Sequence, residues 1–106
     1  MLQPIKGVHN LDENGNPAGG ETTGIGIKIN WQNGPLGRGE DRKEPNGAFV
    51  EGVIAAAIDR LQFYQSTQFA CDENATAILK LQEALDACQA RTVSREERGV
   101  EGTHEV

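Results

Sequence analysis

Residues 72–99 read DENATAILKLQEALDACQARTVSREERG, and their spacing decides the fold class. Asn74, Ile78, Leu81, Leu85, Cys88, Thr92 and Arg95 recur at intervals of three and four, which places them on one face of a helix. Asp72 and Glu73 give that helix an acidic first turn, favourable at the positive end of the macrodipole. Gly99 is the residue able to take the left-handed conformation just past its end. Upstream, Val50, Ile54, Ala57, Leu61 and Tyr64 form a second stripe, with Asn46 or Gly47 near its cap. The break from Gln65 to Cys71 predicts that the two helices fold back on each other as an antiparallel hairpin.

Composition changes sharply ahead of this pair. Ten of the thirteen glycines and all four prolines fall at or before Gly47, whereas residues 48–98 hold one glycine and no proline. Ile25, Ile27, Ile29 and Trp31 alternate with Gly26, Lys28 and Asn30, the period of a half-buried strand. A segment from about Ile5 to Leu11 is its expected partner, with strong turn chemistry between them in Asp12-Glu13-Asn14-Gly15-Asn16-Pro17. Gln32-Asn33-Gly34-Pro35 ends the strand, and Gly37 to Gly47 reads as an exposed, mobile connection. The expectation is an α+β fold: a Gly/Pro-rich strand-and-loop region over residues 1–47, with a small antiparallel sheet, then a long helical hairpin with a C-terminal tail over 48–106, one domain overall.

The bulk numbers exclude several classes. At 106 residues, 37% hydrophobic, the chain builds only a thin core, so an oligomer is expected to bury what one copy leaves open. No run of eighteen apolar residues exists for a membrane span. Met1-Leu2-Gln3-Pro4 lacks a charged segment followed by an apolar one, so no secretory signal is expected. Ten basic against sixteen acidic residues, net −6, argue against nonspecific binding to a polyanion. An anionic ligand must therefore meet a local cluster of arginines. Cys71 and Cys88, seventeen residues apart on one helix, would be roughly 25 Å apart, too far for a disulfide. With no CxxC pair and only His9 and His104, neither zinc nor any other cofactor is indicated.

The second helix's stripe is aliphatic in its middle and polar at both ends, and such ends need water or partners. One reading is that helix ends simply reach solvent. The other is a ligand site. Arg91 and Arg95, one turn apart, form a fork for a phosphate or pyrophosphate. Tyr64 offers a face for base stacking, worth about 1–3 kcal/mol, and Asn74 suits a base edge or a ribose hydroxyl. Asn74 and Arg91 are about 25 Å apart along one helix, further than a small nucleotide reaches. If they share a ligand, they come from different chains. Farther on, Arg98-Gly99-Val100-Glu101-Gly102-Thr103 reads either as a frayed tail or as a defined turn between two glycines, with Arg98 and Thr103 as donors to a second anion.

Asp59 to Gln65, Phe69 to Asn74, Arg91-Thr92 and Arg98 to Thr103 together resemble the hairpin shared by two phage anti-defence families. These are the first type of Thoeris anti-defence protein and the second type of anti-CBASS protein. Ile27-Lys28-Ile29-Asn30-Trp31-Gln32-Asn33-Gly34-Pro35 looks like the Thoeris-directed family in particular, and the resemblance covers residues 25–104. It implies a sponge and not an enzyme: cytoplasmic in the infected host, assembled as a dimer or hexamer, holding cyclic ADP-ribose isomers without cleaving them. On that resemblance Tyr64 stacks, Asn74 reads polar groups, and Arg91 with Arg95 holds the diphosphate of a glycocyclic ADP-ribose. Arg98 and Thr103, with Arg38 from the loop, belong to a second site for cyclic di- or trinucleotides of CBASS.

A trap must bind tightly. A nanomolar constant corresponds to about −12 kcal/mol, so a closed pocket is expected, with Asn33 to Gly47 as its lid. Two other classes compete. An enzyme would need a nucleophile, base or metal set; Gly24-Ile25-Gly26 does not extend to GxGxxG, and Gly34 to Gly39 is no phosphate loop. A helical adaptor would use its faces to bind another protein, leaving the ten acidic and five basic residues after position 48 as a solvated surface. Phe49, Phe63 and Phe69 read as packing residues, and Trp31 as either packing or contact.

Overall fold

The Asp12 carboxylate accepts the backbone N–H groups of Asn14 and Asn16, each at 2.9 Å, and this Asx-type turn closes the first hairpin of the chain. The computed structural model describes residues 3–106, which divide into two compact units: the residues up to Phe49 together with Gly99–Val106, and Val50–Arg98.

The first unit is built on a three-stranded antiparallel meander, β1 (Ile5–Leu11), β2 (Pro17–Gly24) and β3 (Ile27–Asn33), in the order β1-β2-β3. The expected pairing of the Ile5–Leu11 segment with the isoleucine strand is corrected: β2 lies between them and pairs with both. β2 reads PAGGETTG, poor in strand-forming side chains, so no alternation marks it. Its small residues are what the neighbours require. A Cβ on Gly20 would stand 2.1 Å from the carbonyl oxygen of Val8, beside the irregularity in the β1–β2 ladder. The register sets Ile27, Ile29 and Trp31 of β3 on one face, with Trp31 Nε1 donating to Thr22 Oγ1 at 2.7 Å. Ile25 is not part of that face; it sits in the β2–β3 turn and is 79% exposed.

The segment after β3 is pinned, against the expectation of a mobile connection. Asn46 donates its backbone N–H to Gln32 Oε1 and returns its side chain to the N–H and C=O of Asn33. Asn46 thus closes a loop and does not cap a helix. Ala48 then bridges the outer edge of β3, exchanging backbone bonds with Asn30 and Gln32. Within the loop, a short 3₁₀ turn (Gly39–Asp41) is bracketed by the Lys43 N–H to Leu36 C=O bond at 2.7 Å.

The C-terminal residues dock on this loop. Gly37 N–H donates to Gly102 C=O at 2.8 Å, Arg38 Nη1 to Glu101 C=O at 2.9 Å, and Arg42 Nη1 to Glu101 Oε2 at 2.7 Å. Gly102 has φ +79°, and a Cβ there would lie 2.3 Å from Gly37 C=O, so only glycine brings the two backbones this close. Of the two readings of the tail, the defined turn is the one adopted.

The second unit is the hairpin of α1 (Val50–Gln65) and α2 (Asp72–Glu97), and α2 ends as expected before Gly99 at φ +73°. The Asn74–Arg95 stripe is the half-buried face of α2 at each of its seven positions. The α1 stripe is rotated from the expected one. Ile54, Ile58 and Leu61 turn inward, while Val50, Ala57 and Tyr64 are exposed. Apolar residues nearly encircle α1 (VEGVIAAAIDRL), so periodicity alone does not choose its inner face. Ile58, at 7% exposure, is the single buried hydrophobic side chain among the described residues.

Candidate functional site

Within the hairpin unit, the six-residue break 66–71 brings the end of α1 beside the start of α2, so Tyr64 and Asn74 share one end. Gln65 fixes this turn. Its side-chain amide donates to Cys71 C=O at 3.0 Å and accepts the Cys71 N–H at 2.9 Å, a two-point clasp across the break. Thr67 Oγ1 donates to Tyr64 C=O at 2.6 Å, and Ser66 Oγ to Phe63 C=O at 2.6 Å, which satisfies carbonyls left over at the end of α1. Sequence reasoning treated this stretch only as a break. The signal for Gln65 was available in kind, since a side-chain amide carries its donor and its acceptor on separate atoms and can meet a backbone N–H and C=O at once.

The Tyr64 ring is 38% exposed. Phe63 lies beside it, ring centres 6.0 Å apart and tilted by 52°. The guanidinium carbon of Arg60 stands 4.9 Å from the centre of the Tyr64 ring and 4.8 Å from that of Phe63. Arg60 was not singled out from the sequence, although its i,i+3 and i,i+4 spacing to two aromatics is the pattern that produces such contacts on a helix. Phe49, Phe63 and Phe69, expected as packing residues, are not buried within this chain; all three are exposed, Phe69 at 69%.

Arg91 and Arg95 lie near the other end of α2. That helix is 26 residues long against 16 for α1, so its last ten residues, roughly 15 Å, outrun its partner. Both arginines fall on that stretch. Arg91 is exposed, and its side chain makes no hydrogen bond or ion pair to another described residue. Arg95, one turn on, is half-buried on the stripe, following Thr92, whose hydroxyl donates back to Cys88 C=O. The structure therefore brings Tyr64 and Asn74 together and Arg91 and Arg95 together, and it keeps the pairs about 25 Å apart along one chain.

Arg38 and Thr103 both lie in the loop–tail clasp of the first unit, Arg38 on Glu101 C=O and Thr103 with its hydroxyl on Val100 C=O. Arg98 closes α2, its backbone N–H donating to Ser94 C=O at 3.1 Å. At the opposite edge of the clasp, Asn16 Nδ2 is 3.3 Å from His104 Nδ1. The backbone N–H of Asn16 holds the Asp12 carboxyl below its ordinary pKa, helped by the Asn14 N–H, the Asn16 side chain and the nearby His104 charge. A shallow concavity lined by Pro4, Ile5, Lys6, Thr23, Gly24 and Ile25 opens at one end of the sheet and contains none of the candidate residues. Among the described residues no three of His, Cys, Asp and Glu converge as a metal site. Both cysteines are free thiols, and among the described residues no helix is long and apolar enough to cross a membrane.

Residues 23–92 match the family model of the Acb2/Tad1 hairpin domain. The chain is also similar to Thoeris anti-defense 1 of Bacillus phage SBSphiJ7, 49% identical over 77 residues, which cover 73% of this chain and 51% of that protein. The matched chain thus spans about half the length of that relative. The family model begins at the end of β2 and stops within α2, so it covers β3, the pinned loop and most of the hairpin.

Proposed function

The chain belongs to the family of the Acb2/Tad1 hairpin domain, and from that premise we propose that it is a phage anti-Thoeris protein acting as a molecular sponge. It binds cyclic ADP-ribose isomers in the cytoplasm of the infected cell and holds them intact, so that the defence effector is deprived of its signal. The relative is named for anti-Thoeris defence, and the hairpin supplies chemistry that fits such a ligand. Tyr64 stacks against the base, Asn74 reads a polar edge, and the Arg91–Arg95 fork holds the diphosphate by charge-assisted bonds.

The observation that carries the proposal is the disposition of these four side chains. An exposed ring and an amide sit at one end of α2 and two guanidiniums at the other, in a chain of net charge −6. One ligand reaches both ends only if a neighbouring copy presents its far end. The working unit is therefore a homo-oligomer, dimer or hexamer. With a single buried apolar side chain and thirteen exposed large ones among the described residues, the chain has the apolar surface to form it. Arg38, Arg98 and Thr103 are each proposed as donors to a second ligand, a cyclic di- or trinucleotide. Capture needs no catalytic group, and the reading assigns none.

The test is a thermal-shift panel of cyclic ADP-ribose isomers and cyclic di- and trinucleotides, since a tight ligand raises the unfolding midpoint by mass action. A cyclic ADP-ribose isomer is expected to give the largest shift, and ligand recovered from heat-denatured complex is expected to be intact. Recovery of a linear product would indicate an enzyme instead. Arg91→Ala and Arg95→Ala are each expected to cost at least tenfold in affinity with fold and oligomer retained. Unchanged capture by both would leave the hairpin as an adaptor whose partner is another protein.

A further inference from the structure

Arg60 is a further guanidinium of the hairpin, and it stands at the end opposite the Arg91–Arg95 fork. Its guanidinium carbon lies 4.8 and 4.9 Å from the ring centres of Phe63 and Tyr64, and no carboxylate of a described residue forms an ion pair with it. The adjacent Asp59 and the acidic excess of the chain make that isolation notable. An exposed arginine usually finds a carboxylate when acidic groups outnumber basic ones; this one is laid over two aromatic faces with its N–H donors open. A guanidinium held over a ring keeps its N–H donors in its own plane, above the ring face, where they are free for an anion. It also covers the face on which a base would stack.

Resting on the sponge reading above, we propose that Arg60 is a ligand-binding residue with two positions. Without ligand it covers the Tyr64 ring. When the base takes that face, the guanidinium is displaced along its flexible stem and holds the phosphate oxygen nearest the ring. The exchange is favourable because a stacked base covers more of the ring than the guanidinium does, and because the displaced cation gains a charge-assisted bond in place of a weak ring contact. It also gives the ring end of the cage a positive group of its own, so that the ligand's diphosphate is neutralised from both neighbouring chains.

The experiment is isothermal titration of the full-length chain with cyclic ADP-ribose and, separately, its glycocyclic isomer. Wild type, Arg60→Ala, Arg60→Gln and Arg60→Lys are compared at low and high salt, with helix content checked by circular dichroism. The expected result is about tenfold or greater loss of affinity in Arg60→Ala and Arg60→Gln, partial recovery in Arg60→Lys, and a difference that narrows as salt rises. Equal affinity in wild type and Arg60→Ala would show that Arg60 only braces α1. Tighter binding by Arg60→Ala would show that it only obstructs the ring. Either overturns this inference while leaving the sponge intact. Failure of wild type to bind both probes overturns the sponge itself, and this inference with it.

Discussion

The two units of this chain are held together by different means. The sheet-and-tail unit relies on polar bonds between backbones and short side chains: Asp12 in its turn, Asn46 and Gln32 across the loop mouth, Arg42 on Glu101, Gly37 on Gly102. The hairpin unit relies on an aliphatic seam with Ile58 at its centre and one polar clasp, Gln65, at its turn. A seam tolerates small shifts, whereas a network of directed bonds specifies position.

The comparison is broken most severely at Ile58. Ile58→Ala is expected to destabilise the hairpin by about 2–5 kcal/mol, since it empties the one well-covered position of the seam. Loss of helical circular dichroism on heating measures it, and sheet resonances should be less affected. In the other unit, Gly102→Ala is expected to cost about 1–3 kcal/mol locally, combining a positive φ with a clash on Gly37 C=O. The readout is faster hydrogen exchange at the Gly37 amide, with α1 and α2 protection unchanged.

Two smaller effects sharpen the contrast. Gln65→Ala removes both bonds across the hairpin turn and is expected to cost about 1–2 kcal/mol. Because it loosens the element carrying Tyr64 and Asn74, ligand affinity should fall along with the midpoint; Gln65→Glu keeps only the acceptor and should fall between. Asp12 gives the smallest effect, and only in acid. Its pKa is lowered on folding, so its contribution is present above the ordinary value of 3.8 and is lost as pH falls through the depressed value. Wild-type β1–β2 turn resonances should therefore shift in acid below 3.8 in a step that Asp12→Asn lacks.

Legibility in the sequence followed the strength of local signals. The α2 stripe from Asn74 to Arg95 was readable residue by residue, because the positions off it are mostly polar or alanine, with Leu79 and Val93 the large apolar exceptions. The α1 stripe was misplaced because Val50, Val53, Ala55, Ala56 and Ala57 surround the helix with apolar surface, and only packing on α2 selects Ile54, Ile58 and Leu61. β2 was missed because Gly19, Gly20 and Gly24 carry no pattern; their role is defined by the strands on either side. Of the candidate site, the four proposed ligand residues were named from the stripe ends and a family resemblance. Arg60 was not, since a cation over a ring becomes visible only once both side chains are placed.

By itself the sequence determined which segments are helix, where the break and the final glycine stop fall, and that any anion must be met by a few arginines. These follow from side-chain periodicity and charge, which act over a turn or two of chain. Only the tertiary structure decided that Gly99–Val106 returns to the loop after β3, that Asn46 closes that loop, and that a glycine-rich segment is the central strand. Those outcomes depend on which backbone groups, far apart in sequence, still need a partner once the local elements have formed, and no local pattern records that.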